Sequence, residues 1–270
     1  MHRRRLLAAS LAATAVTANP GLAIAAQTPL RLGVDRALAE SGLAHALQHA
    51  FGADTGLAVK LAPGPALAIL DAVKEGEVDA ALTNVPAVET DLDAQGLVYD
   101  RQTIATGEFI LVGPLPRTRG RPPPPGQSGV DALARIQEMA TAEPGTMLFL
   151  SAGDGSGTHV VEQALWRAAH IDPAAPWYVA ADAKLPFIAQ VRTRNAFALV
   201  EAGAWAVGGG PPEAVLVEAD PMLGETVSAM RSFRAAHPAG KIFVAWISGG
   251  RGRAVVSRHR GYRPAAKKSR

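Results

Sequence analysis

The residues best suited to do chemistry lie in one run, Ser151-Ala152-Gly153-Asp154-Gly155-Ser156-Gly157-Thr158-His159. The apolar segment Thr146–Leu150 before it reads as a short buried strand. The pattern over 160–169 behind it reads as a helix, with Val161, Leu165 and Ala168 on one face. A strand, a glycine-rich turn and a helix start leave free backbone N–H groups around a small concave space, and the helix end adds partial positive charge. Gly155 and Gly157 let the backbone come close to a ligand, while Ser156 and Thr158 offer hydroxyls. The same residues suit an ordinary helix cap equally well, so the run alone admits two readings: an oxyanion pocket or a capped helix.

Other chemistries fit poorly. Ser156, His159 and Asp154 sit on one turn, whereas a hydrolytic triad draws its members from separate elements. Asp154 and Thr158 occupy the two positions that a Gly-x-Ser-x-Gly elbow reserves for glycine. With no cysteine, and with only His45 and His49 at i, i+4 spacing among seven histidines, the sequence offers no complete set of metal ligands. The expectation is a binding protein with no catalytic group, no metal and no cofactor.

The elements that must position this run repeat as strand–helix units. Strands are expected at Leu30–Val34, Leu57–Leu61, the stretch ending at Thr83, Phe109–Pro114, Asn195–Val200 and Ala214–Glu218. Helices are expected over Gly42–Phe51, Ala66–Lys74, Asp131–Met139 and Lys241–Ile247, with a turn at Asp35–Glu40 and an acid-rich helix opening at Val85-Pro86. Repetition of this kind predicts an α/β fold with a largely parallel sheet. Pro122–Pro125 reads as a solvated spacer, and Gly208-Gly209-Gly210 as a flexible joint.

Charge is distributed unevenly. His2-Arg3-Arg4-Arg5, the apolar stretch Leu6–Ala18 and the small residues Ala23-Ile24-Ala25 form a leader over residues 1–25, with a twin-arginine pattern also satisfied. The predicted compartment is therefore the periplasm. The last twenty residues carry eight basic side chains and no acid, and the body between leader and tail has 16 basic against 24 acidic groups. An acidic body with only three tyrosines and seven phenylalanines argues against nucleic acid as a partner. Residues 258–270 are expected to form a disordered basic tail. No run after the leader is long and apolar enough to span a membrane.

Further along, Gly155-Ser156-Gly157-Thr158-His159, Trp166-Arg167-Ala168-Ala169-His170-Ile171-Asp172-Pro173 and Trp177-Tyr178 resemble the tungstate-type substrate-binding proteins of ABC transporters. Ser41-Gly42-Leu43, Gly76–Ala80, Phe109–Pro114, Leu216–Pro221 and Phe243–Ile247 extend the likeness in the family's order across nearly all of residues 29–257. The resemblance implies a type II periplasmic binding-protein fold: two α/β lobes joined by two crossing strands, with a ligand cleft between them. It implies one lobe from 26–110 and 218–257 and the other from 111–217, with crossings at Phe109–Pro114 and Val215–Glu218. A monomer would capture a small oxyanion such as tungstate or molybdate and deliver it to a membrane permease, its sole contact with the membrane.

The departures bear on the ligand. The family's hydroxyl-rich turn after its first strand is here Val34-Asp35-Arg36-Ala37-Leu38, its arginine before the Gly-Asp pair is Ala152, and its late aspartate–arginine pair is Glu201-Ala202. A family histidine is replaced by Asn84, and a glycine-methionine-glycine turn by Ala183-Lys184-Leu185. Alanine cannot replace arginine's bidentate grip on an oxyanion. The candidate ligand contacts are Ser156, Gly157, Thr158 and Gly155, with Arg36, Lys184 and Asn84 as replacements for the lost donors; Arg36 can instead pair with Asp35. A receptor for an organic anion, or a sensor that has lost the oxyanion site, is the alternative.

Overall fold

The computed structural model describes residues 28–115 and 128–266. The expected leader, the Pro122–Pro125 run and the basic residues Lys267, Lys268 and Arg270 lie outside them. Strand β1 (Leu30–Asp35) pairs in parallel with β2 (Val59–Gly64) and β3 (Ala80–Thr83). Helices α1 (Arg36–Glu40) and α2 (Leu43–Thr55) connect β1 to β2, and α3 (Ala66–Glu75) connects β2 to β3. Helix α4 (Pro86–Ala94) then leads to β4, a strand of 15 residues from Val98 to Val112.

Strand β4 ties the molecule together. Its first part pairs antiparallel with β9 (Gly224–Ser232), which continues to β3. Its last part, Phe109–Val112, pairs antiparallel with β7 (Ala198–Glu201), and Leu111 and Val112 pair with β8 (Val215–Val217). β4 therefore leaves one lobe and enters the other, and the chain returns between β8 and β9. In the second lobe α5 (Gly129–Ala142) precedes β5 (Phe149–Ser151), α6 (Gly157–Ala168) and β6 (Tyr178–Ala180). β5 and β6 pair in parallel, and Phe149 bridges to Phe197 just before β7. Helices α7 (Phe187–Arg194) and α8 (Ala202–Val207) flank β7.

The expected parallel sheet is thus corrected to a mixed one. The first half of β4 and β9 escape the sequence pattern because they are polar: Arg101-Gln102-Thr103 in β4, Glu225-Thr226 and Ser228 in β9. Ser228 and Ser232 are nonetheless buried, since a central strand is covered whatever its side chains. The turn expected at Asp35–Glu40 is helix α1, capped by the Asp35 side chain. Of the face predicted for α6, Leu165 is buried and Val161 packs against the core, but Ala168 is exposed; Glu162 and Trp166 are buried beside Leu165, because α6 packs Trp166 against the aromatic rings of Phe149 and Tyr178.

The tail is also corrected. Helix α9 (Pro238–Ser248) is followed by α10 (Gly250–Ser257) and the edge strand β10 (Arg263–Pro264), which pairs with Ala105 and Thr106 of β4. Val256, Tyr262 and Ala265 are buried, and Tyr262 donates its hydroxyl to Ser41 Oγ at 3.0 Å. Burial of these apolar groups holds residues 258–266 against the first lobe despite their basic charge. That lobe's core gathers Leu30, Leu32, Phe51, Phe243 and Ile247; the second lobe's gathers Phe109, Phe149, Trp166 and Phe197.

Candidate functional site

The run from Ser151 to His159 forms the predicted strand, turn and helix start. Gly153 and Gly155 take left-handed φ of 63° and 81°, and a Cβ at Gly153 would lie 2.8 Å from that of Ala180. Asp154 Oδ1 accepts the Ser156 N–H at 2.9 Å, which shapes the turn, and Ser156 Oγ accepts the His159 N–H at 3.3 Å as the cap of α6. His159 Nδ1 accepts the Gly155 N–H at 3.0 Å. Burial lowers the pKa of this ring, which favours the neutral form that can accept. His159 is thereby committed to holding the turn.

Two hydrogen bonds carry this turn across to the first lobe. The Gly155 carbonyl accepts the Leu67 N–H in the first turn of α3 at 3.1 Å, and the Gly157 N–H donates to Asp35 Oδ2 at 3.1 Å. A third contact runs the other way: Arg36 Nη1 donates to the Ala183 carbonyl at 2.9 Å, with Nε 3.9 Å from Asp154 Oδ2. Between these contacts lies a cavity of about 30 Å³, lined by Arg36, Glu40, Asp154, Ser156, Thr158 and Gln190 among others. That is room for one or two water-sized groups.

The predicted site residues divide into three sets. Arg36, Ser156 and Thr158 line the cavity, the last two almost fully buried. Gly155 and Gly157 stand beside it and make the interlobe bonds. Asn84 and Lys184 do not line it. Lys184 is exposed, its backbone N–H donating to Asp182 Oδ1. Asn84 is buried behind Gly157, where an added Cβ would come within 1.9 Å of its Oδ1, and its Nδ2 donates to Glu225 Oε1 at 2.7 Å.

Sequence reasoning put Asp35 and Glu201 at positions of family ligand donors, but it did not foresee that they meet Glu225 on the floor of the cleft. Asp35, Glu201 and Glu225 are all buried there, at the ends of β1 and β7 and the start of β9. Asp35 Oδ1 accepts the Ala37 N–H at 2.9 Å, and Glu201 accepts the N–H groups of Gly203 and Ala204 at 2.7 and 2.8 Å. Burial, opposed in part by these bonds, pushes Asp35 up to about 6 and Glu201 up to about 7. Glu225 is raised well above the ordinary range by burial and by the Glu201 charge beside it. Asn84 Oδ1 and Glu225 Oε2 are buried with no hydrogen-bond partner among the described residues. The one signal in the sequence was an acid at the end of an apolar strand, as in Gly33-Val34-Asp35 and Leu199-Val200-Glu201; Glu225 carried none.

Arg36 and the two hydroxyls can donate to an anion, while Glu40, Asp154 and Asp182 line the same cavity and repel one. Burial also raises the pKa of Glu40. Among the described residues no group of three or more His, Asp or Glu is placed to hold a metal ion, and no helix is long and apolar enough to cross a membrane.

Comparison with known proteins gives these features a context. The PBP superfamily domain matches residues 23–239. The chain is 33% identical over 150 residues to the tungstate-binding protein TupA of Peptoclostridium acidaminophilum, covering 56% of this chain and 50% of that protein. The chain thus spans about half the length of that curated relative. Among solved structures, the tungstate ABC transporter protein from Geobacter sulfurreducens superposes with a TM-score of 0.68 at 22% identity, covering 86% of this chain and 99% of that one. The tungstate-binding protein TupA from Desulfovibrio alaskensis superposes with a TM-score of 0.65 at 22% identity, covering 89% and 100%.

Proposed function

This chain belongs to the PBP superfamily, and from that premise we propose that it is an extracytoplasmic solute-binding protein that captures a small oxyanion between its lobes and delivers it to an ABC importer. The observation that carries the reading is the interlobe cavity at the start of α6, where Ser156, Thr158 and Arg36 converge from two lobes. Ligand enters with the lobes apart, and closure brings Arg36 of the first lobe against the hydroxyls of the second. The tungstate-binding relatives support the oxyanion class. The leader over residues 1–25 would export the chain to the periplasm, where it acts as a monomer and meets the membrane through the permease.

Calorimetric titration of the purified protein with tungstate, molybdate, sulfate and phosphate tests this reading. Saturable binding by at least one of them is expected, weakened about tenfold or more in a Ser156→Ala, Thr158→Val double variant that removes two hydroxyl donors. No heat with any of the four would sink it. A second reading, a receptor for an organic solute, is favoured by one observation: among the described residues the cavity lining holds three acids, Glu40, Asp154 and Asp182, and one cation, Arg36. Thermal stabilisation by an amino acid or amine, with none by the four oxyanions, would select it.

A further inference from the structure

We propose that the Asp35 carboxylate is a tethered anion held on donors that a captured oxyanion would use, which makes Asp35 the residue that sets the cleft's selectivity against doubly charged oxyanions. The proposal rests on the receptor reading above and deepens it. A binding protein of this design gains closure energy when an anion bridges donors of its two lobes. Here Asp35 does this itself: one oxygen accepts from Ala37 in its own lobe, and the other accepts from Gly157, the first residue of α6, across the cleft. The α6 N–H groups have no acceptor within their own helix, so they are the natural donors for a bound anion. Being covalently attached, Asp35 competes for them at an effective concentration far above that of a dilute solute.

The surroundings of Asp35 sharpen the effect. Among the described residues no cationic side chain forms an ion pair with Asp35, Glu201 or Glu225. Arg36, the adjacent residue, is turned to the Ala183 carbonyl and Asp154. The floor is also short of donors rather than acceptors, since Asn84 Oδ1 and Glu225 Oε2 already lack them. A fully ionised dianion brings only acceptors and two more charges, so it must displace Asp35 or lie beside it at a Coulombic penalty. A proton on Asp35 removes that penalty, and burial already favours one. The titratable and charged groups around it are Asp154 and His159 from the α6 turn, Arg36 and Glu40 from α1, Glu201 from β7, Glu225 from β9, and Tyr262 beside Glu201. α3 packs there through the Ala66 backbone and contributes no charge.

The test is calorimetric titration of the wild-type protein, Asp35→Asn and Asp35→Ser with tungstate and sulfate at pH 7.5, and with sulfate again at pH 5.5. Sulfate stays doubly charged across that range, so any change reports on the protein. Both variants are expected to bind the dianions at least about tenfold more tightly than wild type at pH 7.5. Wild type should gain affinity for sulfate at pH 5.5, and the variants should gain less. Circular dichroism and melting establish that the variants are folded; the pH arm on wild type reads the same effect if they are not. Tight tungstate binding by wild type, matched or exceeded by folded Asp35 variants in no case, would overturn the tethered-anion role and leave the receptor reading standing. A flat sulfate affinity of wild type between the two pH values would do the same. Absence of binding by wild type and both folded variants at either pH would overturn both.

Discussion

Glu89 and Asp35 are both carboxylates shielded from solvent beside strand ends of the first lobe, and they are treated in opposite ways. Glu89 accepts from Thr83 Oγ1 at 2.8 Å and the Val85 N–H at 3.0 Å, and Arg101 of β4 clamps its other oxygen at 2.9 Å. Asp35 accepts from the backbone of Ala37 and Gly157, and no cation is paired with it among the described residues. The buried acid that pins α4 to β4 comes with its counterion. The acid between the lobes does not, and its charge stays open to titration and to competition with a ligand. A buried charge without a partner is expensive, so its position at the cleft is where a functional cost is most economically explained.

The contrast can be broken most forcefully at Arg101. Arg101→Met leaves Glu89 buried without its cation and is expected to cost about 3 kcal/mol or more in urea unfolding. A loss below about 1 kcal/mol would mean that Glu89 does not depend on its counterion, and the two carboxylates would no longer differ in kind.

The second effect is on pH dependence. Asp35 and Glu201 have folded-state pKa values above their unfolded ones, so the folded protein holds more protons between them and stability falls as pH rises. Their contribution is present in full below about pH 4 and is lost as pH rises from there through about 6 for Asp35 and about 7 for Glu201. For Asp35 the rise from 3.8 to about 6 corresponds to roughly 3 kcal/mol. Thermal melts at pH 5.5 and 8 should show the protein more stable at the lower value, and Asp35→Asn should flatten part of the slope. A wild-type protein equally stable at both would place cations near the cleft floor that the contrast denies.

Third, Gly157→Ala places a Cβ within 1.9 Å of Asn84 Oδ1 in a packed region, and is expected to cost about 1–3 kcal/mol in thermal unfolding. A neutral result would show that the cleft floor yields, as a site that opens for ligand would. Smallest of all, Lys184→Ala should change stability by less than about 0.5 kcal/mol and leave anion affinity unchanged, because the side chain is exposed and stands off the cavity. An affinity loss in titration would bring Lys184 into the closed site.

Local signals made much of this legible in advance. The strand–turn–helix around Ser156 could be read because glycine punctuation and hydroxyl capping act over a few residues. Helix α3 followed from the 3.6-residue period of Leu67, Leu70 and Val73; Leu70 and Val73 are buried, while Leu67 is exposed. The polar strands β9 and early β4 could not be read, since their burial comes from neighbours in the sheet and not from their own hydrophobicity. The basic end was misread for a related reason: Tyr262 and Ala265 find their pockets on the first lobe, more than a hundred residues away in sequence.

What the sequence determined by itself was the set of local elements and the excess of acidic over basic groups in the body, with Ala152 and Ala202 where the resemblance to the tungstate-type family implies arginine. Which groups face one another was decided only by tertiary structure. Asp35 and Gly157 are 122 residues apart, as Asn84 and Glu225 are 141, and no local pattern specifies either meeting. The crossing of β4 and the return of the chain between β8 and β9 bring them together, and burial in a low-dielectric floor then raises the pKa of these carboxylates.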